Sequence, residues 1–464
     1  MEAGEPMSSA ASVTERFAAH VAGTRYEDLS ADAVDRAKTF ILDTIGVGVA
    51  GSSAAGANAL HEAAVRWGSG PESLVWGRGT RMPAPAAAFL NGYAAHCQEF
   101  DCVHEPAVLH PMATLLPAAL AFADREGGVT GRELLTAVAV GIDVSVGLGI
   151  ASRAGLRFFR PASAGGFGAA AAVARLAGLN EAGIVAALGL QYAQTSGTMQ
   201  PHVEGSMALP MQIGFNGRAA LCAVDLAQAG ATGPQAVFDG PFGYLPLYEG
   251  AYDLGPTLAG LGRVWRVAEL SHKPFPAGRA THGGIEGVMR LREQHGFTAD
   301  DVERVTLTGP ILINRLAARP DLPDPSPNYA RLCSAFIVAK VLIHGRIDLA
   351  HYRDGGLTDP ATHALAARVV MQVDDNPDPN ALLPQRIEIA LKDGRVLAWT
   401  CEAMLASNAR RLTREQHLAK FRRCLDFAAA PLAEDAGERL IGLVDDLETL
   451  ADARALGDVL TPRP

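Results

Sequence analysis

The hydrophobic pattern of the first half of the chain is helical. Over roughly the first 265 residues, apolar positions recur every three or four residues, a spacing typical of amphipathic helices. In the clearest run, from Val34 to Ile45, Ser30 precedes the pattern as a candidate N-cap and Gly51 follows it as a stop. The same spacing predicts further helices at Ala86–Glu99, Thr114–Asp124, Arg132–Gly147, Gly166–Leu179 and Phe215–Ala229.

The pattern changes after Trp265. Apolar and polar residues alternate at Glu303–Thr308 and Arg368–Val373, as they do in strands. Two further alternating runs flank Lys392-Asp393-Gly394, a turn suited to a hairpin between Arg386–Leu391 and Arg395–Thr400. These elements predict a small α+β domain. Helical periodicity returns at Thr413–Phe427 and Ala436–Leu450, and we expect these helices to pack back on the first domain.

Length and composition narrow the function classes. A chain of 464 residues predicts two or three structural units. Apolar residues make up 48% and charged residues 19%, with 49 glycines, which favours closely packed helices and a subunit interface. The net charge of −10 is spread without basic clusters, so we expect neither nucleic acid nor an anionic membrane as partner.

The six cysteines are scattered and form no Cys-x-x-Cys pair. Together with an N-terminus that has no secretory pattern, they predict a reduced, cytoplasmic protein. The most apolar stretch, Glu133 to Ile150, is interrupted by Asp143 and by glycines. It therefore predicts a buried helix rather than a membrane span.

One short segment concentrates proton-transfer groups. Residues 93–111 read YAAHCQEFDCVHEPAVLHP and contain His96, Glu99, Asp101, His104, Glu105 and His110. Such a cluster supports a metal site, a metal-free acid/base site or a polar structural loop. His96 and Glu99 would share a helix face, but the absence of a tight His-x-x-x-His pair makes the metal interpretation the weakest.

A second segment, SHKPFPAGRATHGG, places Lys273, Arg279 and His282 around a turn that two prolines hold rigid. Converging cations of this kind suit a carboxylate or phosphate, although a surface loop with unrelated charges is the alternative. Upstream, the glycines at 165, 166 and 168 match no nucleotide-binding template, and tight helix packing explains them better. Arg160 lies just before that helix and would bring a positive charge to its N-terminus.

These segments occur in an order that resembles the MmgE/PrpD family of 2-methylcitrate dehydratases, cis-aconitate decarboxylases and iminodisuccinate epimerase-like proteins. The resemblance rests on ERFAAHV, AKTFILDTIGVGVAGS, NGYAAHCQEFD with the later HP, FFRPASAGGFGAAAA, EGSM, KPFPAGRATHGGIEG and KDGRVL. It covers nearly the whole chain. It implies a mainly α fold: a large all-helical domain formed by residues 1–265 and 405–464, and a smaller α+β lid formed by residues 266–404. It also implies a homodimer without cofactor or metal.

Carried over residue by residue, the resemblance places His110, Asp101, Glu99 and Lys273 among the catalytic groups. It places Arg279 and His282 with the substrate, and we add Arg160 and His104 as binding candidates. The chain departs from the family pattern at Cys102, Val103, Arg160, Leu209 and Phe336, where Asp, Thr, His, Lys and Tyr are usual. These departures leave the substrate undefined.

The sequence therefore predicts a cofactor-free lyase or isomerase that removes a proton next to a carboxylate or carbonyl of a small organic acid. Dehydration, decarboxylation and epimerisation all fit. His110 is the expected base or acid, Asp101 or Glu99 orients it, and the cations hold the anion. Two alternatives are a biosynthetic isomerase or cyclase for a larger, less charged substrate, and a non-catalytic homologue that binds a metabolite.

Overall fold

Helices dominate the fold, which confirms the mainly α prediction: 56% of the computed structural model is helical. The structure describes residues 11–461. The helices before residue 265 are α1 Val13–Gly23, α2 Ala31–Gly51, α3 Ala57–Val65, α4 Ala84–His96, α5 Pro111–Glu126, α6 Gly131–Ala151, α7 Arg160–Leu176, α8 Glu181–Tyr192, α9 Gln200–Glu204, α10 Ala208–Gln228 and α11 Gly255–Gly260. One short antiparallel hairpin, β1 Ser73–Val75 with β2 Thr80–Met82, interrupts this helical part.

Local sequence signals explain several helix boundaries. Ser30 caps α2 as predicted, because its side chain accepts a hydrogen bond from the backbone N–H of Ala33, and α2 ends at Gly51. The helix predicted at Ala86–Glu99 is shorter than expected. It ends at His96, and Glu99 lies beyond it with φ of 49°, so the two residues share no helix face.

The helix predicted from Gly166 begins earlier than expected, at Arg160, so the glycines lie inside α7. They permit close helix packing, as expected. A Cβ on Gly168 would lie 2.5 Å from the carbonyl oxygen of Gly141 in α6. Helix α6 is the one described helix that is long and apolar enough to span a membrane, and 94% of its apolar window is buried. Its Asp143 is buried too and lies 3.0 Å from Nε2 of His20.

The residues after Trp265 form the predicted mixture of helices and strands. A four-stranded sheet has the order β4 (Val369–Val373), β3 (Val302–Gly309), β5 (Gln385–Leu391) and β6 (Val396–Cys401). The β3 and β4 strands are parallel and the other pairs antiparallel. The predicted hairpin is confirmed, since Gly394 turns the chain with φ of 89° between β5 and β6. The helices here are α12 His282–His295, α13 Ile311–Ala317, α14 Pro327–Ala330, α15 Ser334–His344 and α16 Pro360–Ala366.

The C-terminal helices are α17 Arg414–Leu425, α18 Ala436–Asp445 and α19 Arg454–Asp458. Both α17 and α18 pack against α2, and their buried side chains join the same apolar core as the N-terminal helices. A second core, from Phe275 to Leu397, lies between the sheet, α12 and α15. The domain boundaries after residues 265 and 404 stay a prediction. They fall near the points where the chain passes from one core to the other.

Candidate active site

The loop between α4 and α5 carries the densest group of titratable side chains. It begins at His96, the last residue of α4, and ends at His110, directly before Pro111 opens α5. Paired backbone hydrogen bonds between Val103 and Ser271 tie this loop to the segment that continues into Lys273. The fold therefore brings together two segments that are about 170 residues apart in sequence.

Asp101 is the centre of this group. Its side chain is fully buried, and its Oδ2 accepts a hydrogen bond of 2.9 Å from Nδ1 of His96 and lies 3.4 Å from Nδ1 of His110. Its Oδ1 lies 3.6 Å from Nζ of Lys273. Burial opposes the charge on Asp101, but the nearby His96, His110 and Lys273 outweigh it and lower the pKa of Asp101 well below its usual value. The carboxylate is thus ionised and holds both imidazoles.

Glu99 is the second buried carboxylate. Nζ of Lys273, which is itself fully buried, donates to Oε2 of Glu99 at 2.6 Å, and Oε1 lies 3.6 Å from Nε2 of His96. Burial raises the pKa of Glu99, but Lys273 and His96 outweigh that effect and lower it to about 2. Two carboxylates, one ammonium and His96 therefore form a compact charge-balanced network.

The two imidazoles have opposite environments, although their ring centroids are only 5.1 Å apart. Burial works against a charge on His96, yet Asp101 and Glu99 outweigh it and raise the pKa of His96. Burial and the ammonium of Lys273 lower the pKa of His110. Adjacent groups with pKa values displaced in opposite directions are typical of an acid and a base in one site.

The hydrogen bonds of His110 define its tautomer. Nδ1 of His110 lies 2.9 Å from the carbonyl oxygen of Cys102. Because a carbonyl only accepts, Nδ1 carries the proton and the lone pair of neutral His110 is on Nε2. The side chain of His110 lines a cavity, and within residues 11–461 no hydrogen-bond partner engages its Nε2. His110 thus presents a basic nitrogen to that cavity.

Arg279 supplies a cation to the same cavity. Its Nε donates to Oε1 of Glu105 at 2.7 Å, and its Nη1 donates to the carbonyl of Leu405 and to Nδ1 of His282. Nε2 of His282 donates to the carbonyl of Ala277. Burial and the charge of Arg279 lower the pKa of His282 well below its usual value. His282 is therefore a neutral support that orients the guanidinium.

The cavity in front of these groups encloses about 640 Å³, including the space at its mouth. His96, Glu99, His110, His202, Arg279 and Thr281 form its polar part, and apolar side chains form the rest. Of the predicted residues, His110, Glu99 and Arg279 line it. Asp101, Lys273 and His282 lie behind that lining and contact it.

Two predicted binding residues have other contacts. Arg160 is 1% exposed, and its guanidinium pairs with Glu249 through bonds of 3.1 and 2.8 Å and also donates to the carbonyl of Ala107. His104 donates from Nε2 to Glu269 and accepts the backbone N–H of Ala107. Neither residue is among those that line this cavity, and their predicted roles in substrate binding stay a prediction.

The sequence prediction missed three residues of the site. It mentioned His96 only as part of the dense segment, although His96 lines the cavity beside His110. It assigned no role to Glu105, the partner of Arg279, and did not place His202 at the site, although His202 also lines the cavity. Burial and Arg319, whose Nη2 donates to Nδ1 of His202, lower the pKa of His202 to about 4.

The departures from the family pattern have structural consequences. Cys102 is fully buried and contacts His110 only through its backbone carbonyl, which any residue there would supply, whereas the side chain of Val103 lines the cavity. Leu209 is buried and packs in a cluster with Phe159 and Leu332, which are part of the cavity wall. Phe336 is buried in the second apolar core and does not line the cavity. Leu209 thus packs behind the apolar wall, at the position where the resemblance implies a lysine.

Two groups of donor atoms are close enough to approach a cation. Donor atoms of His96, Asp101 and His110 lie within 4.8 Å of one another, as do those of Asp43, His272 and His417. A lysine ammonium already neutralises the carboxylate in both groups: Lys273 near Asp101, and Lys420 at 2.7 Å from Asp43. The donor sets therefore fit protonated networks, and the metal-free site stays a prediction.

Comparison with known proteins agrees with this architecture. Residues 15–257 match the profile of the MmgE/PrpD N-terminal domain, and residues 275–447 match that of the MmgE/PrpD C-terminal domain. The chain is 29% identical to a cis-aconitate decarboxylase of Mus musculus over 97% of its length and 93% of the relative's. It is 28% identical to the Homo sapiens protein of that name, over 97% and 94% of the two chains. A mitochondrial 2-methylcitrate dehydratase of Yarrowia lipolytica is 31% identical over 26% of this chain and 25% of its own.

Proposed function

The chain belongs to the MmgE/PrpD family, and we propose that it is a lyase or isomerase that removes a proton next to a carboxylate or carbonyl of a small organic acid. Relatives named as a decarboxylase and a dehydratase support this reaction class. Their names do not favour the two alternatives, a cyclase for a larger substrate and a non-catalytic binding protein. The single observation that carries the proposal is the pair of oppositely perturbed imidazoles at one cavity.

His110 is the base of the proposed reaction. Its Nε2 lone pair faces the cavity, and its lowered pKa keeps it neutral near pH 7. A substrate with its carboxylate near Arg279 would lose the proton on the adjacent carbon to this nitrogen, and its electron pair would pass into an enolate of the acid group. The guanidinium of Arg279 would stabilise the developing charge, an effect usually worth several kcal/mol.

His96 is the acid. Its Nδ1–H is bound by Asp101, and its buried Nε2 has no hydrogen-bond partner among the described residues. With a raised pKa, His96 keeps a proton on Nε2 and can deliver it to a leaving hydroxyl or to the enolate carbon. Delivery to a hydroxyl gives elimination of water. Delivery to carbon gives isomerisation. In a decarboxylation, carbon dioxide would instead leave with cleavage of its C–C bond, the electron pair would stay on the substrate, and His96 would protonate that carbanion without prior proton removal by His110.

Asp101 and Lys273 position the two imidazoles in this scheme. Asp101 accepts a hydrogen bond from Nδ1 of His96 and lies 3.4 Å from Nδ1 of His110, and Lys273 balances part of the charge of Asp101 and Glu99. The proposed steps call on these side chains, and the expectation of a cofactor-free enzyme stays a prediction.

The test is proton exchange in heavy water. Incubation with cis-aconitate, 2-methylcitrate and a panel of 2-alkyl monocarboxylic acids, followed by NMR, measures deuterium incorporation and turnover. We expect exchange or turnover with at least one acid and its loss in His110→Asn. Failure of every acid, or unchanged exchange in that variant, would overturn the proposal.

A homodimer in the cytoplasm is a further proposal. Two exposed aromatic side chains support a subunit interface. Trp67 is 44% and Phe215 37% exposed, and both rings contact Phe89, so they form one surface patch. Sedimentation velocity on the wild type and on Phe215→Glu tests it. We expect a dimer that the charged variant dissociates, and a monomeric wild type would contradict this.

A further inference from the structure

Much of the cavity wall is apolar. Leu156, Phe159, Leu316, Leu332 and Leu382 are among its side chains. An apolar wall gains free energy by covering hydrocarbon and loses it by removing water from a charged group. The substrate must therefore present hydrocarbon to this wall and keep its charge near the polar lining residues.

Besides Arg279, the cations around the site lie behind the cavity lining, and two of them are ion-paired. Lys273 is bound to Glu99, and Arg160 to Glu249, each ion pair being buried. Arg331 is also buried and donates to the side chain of Gln98. Among the described residues that line the cavity, Arg279 is the one lysine or arginine. A ligand with two or three carboxylates would therefore bury negative charge that has no cationic partner.

Arg279 is also ion-paired, with Glu105, but it lines the cavity and its Nη2 makes no hydrogen bond with good geometry among the described residues. Glu105, which is 22% exposed, holds its Nε and approaches its Nη2. Glu99 lines the cavity as an ionised carboxylate and would repel a second carboxylate of the ligand. The electrostatics of the cavity thus match a single negative charge at Arg279.

From these contacts we infer that the acid accepted by this site carries one carboxylate and an apolar body. The inference rests on the proposed function for the reaction and adds the substrate class. Arg279, His110 and the leucine-rich wall line the same cavity, so one ligand can contact all three. The carboxylate lies at Arg279, the reacting carbon near His110, and the apolar body along the leucine-rich wall.

The test is equilibrium binding of three acids with six carbons each. Hexanoate, adipate and tricarballylate carry one, two and three carboxylates, so the number of charges varies while the carbon count is constant. Calorimetry at pH 7 on the wild type is expected to give hexanoate the highest affinity, by roughly tenfold or more over each of the other two. Equal or tighter binding of tricarballylate, or no binding of hexanoate, overturns the inference.

Two variants locate the charge. Arg279→Gln should weaken hexanoate by roughly tenfold or more, because it removes a charge-assisted hydrogen bond. Leu316→Lys places a new ammonium on the half-buried cavity side of α13 and should tighten adipate relative to hexanoate, whereas the matched uncharged variant Leu316→Gln should not. The Leu316 pair keeps the test decisive if Arg279→Gln unfolds, and an unchanged adipate-to-hexanoate ratio in Leu316→Lys counts against the inference.

The binding test and the heavy-water test fail separately. Preferred binding of hexanoate without exchange on any acid would remove the proposed reaction and leave the ligand class intact. His110-dependent turnover of a tricarboxylate, with weak hexanoate binding, would support the proposed reaction and overturn the inferred ligand class.

Discussion

The imidazoles of His96 and His110 share one carboxylate. Their Nδ1 atoms lie 2.9 and 3.4 Å from the same oxygen, Oδ2 of Asp101, and their ring centroids are 5.1 Å apart. Only His96 also lies within 3.6 Å of Glu99, whereas the carbonyl of Cys102 takes the Nδ1 proton of His110. This difference in neighbours makes one ring an acid and the other a base.

The first prediction is a bell-shaped pH profile of kcat/KM. The active form needs His110 neutral and His96 protonated. Because the pKa of His110 is below 6.5 and that of His96 above it, activity should be maximal between the two values. It should fall on the acid side as His110 gains a proton and on the alkaline side as His96 loses one. Initial rates measured across the pH range check this.

Asp101→Asn is the control for that assignment. Removing the carboxylate takes away the main charge that raises the pKa of His96, so the alkaline limb should move to lower pH. An alkaline limb that stays in place would show that it belongs to another group.

The second prediction separates the two histidines. His110→Asn should lower both deuterium exchange and kcat by roughly 10²- to 10⁴-fold, since it removes the base. His96→Asn should lower net turnover by a similar factor but retain exchange at the carbon next to the carboxylate, because His110 remains. NMR of recovered substrate after incubation in heavy water distinguishes the two patterns. Loss of exchange in both variants would contradict the division of roles.

Local patterns in the sequence predict the framework of this protein well. The N-cap at Ser30 and the glycine turn at Gly394 depend on neighbours a few residues away, and both occur as predicted. The end of α4 was misplaced, because the apolar period continues past His96 while the chain turns, with Glu99 at positive φ. The contacts of Glu99 with Lys273 accompany that turn and are not encoded locally.

The site could be predicted only in part, because the role of each side chain depends on a partner that is distant in the sequence. Glu105 and Arg279 are 174 residues apart, and so are Glu99 and Lys273. The density of titratable residues in the segment 93–111 indicated His110 and Asp101. The sequence showed His96 only as a residue near the end of a helix, and its hydrogen bond to Asp101 is seen only in the fold. A histidine at the last turn of a helix, five residues before a buried aspartate, was the available signal.

The third prediction concerns the stability of the buried network. Lys273→Met leaves the carboxylates of Glu99 and Asp101 buried without their ammonium, and should lower the free energy of unfolding by roughly 3–5 kcal/mol. Adding Glu99→Gln should restore a large part of that loss, because it removes one of the unpaired charges. Denaturant unfolding of the three proteins measures both effects.

A surface pair provides the control. The side chains of Arg422 and Glu438 are 50% and 63% exposed, so Arg422→Met should cost less than about 1 kcal/mol. A loss in Lys273→Met no larger than in Arg422→Met would mean that Lys273 does not balance the buried carboxylates.

The last prediction decides between two roles for Arg160. The sequence suggested that it binds the substrate, whereas its guanidinium is saturated by Glu249, Ser152 and the carbonyl of Ala107. Arg160→Met strands the buried carboxylate of Glu249 and should reduce the free energy of unfolding by roughly 3–5 kcal/mol. The double variant with Glu249→Gln should be more stable than the single one. In the folded fraction, the affinity for hexanoate measured by calorimetry should stay within about twofold of the wild-type value, because Arg160 is not part of the cavity wall. A stable Arg160→Met protein with weakened ligand binding would instead assign Arg160 to the substrate.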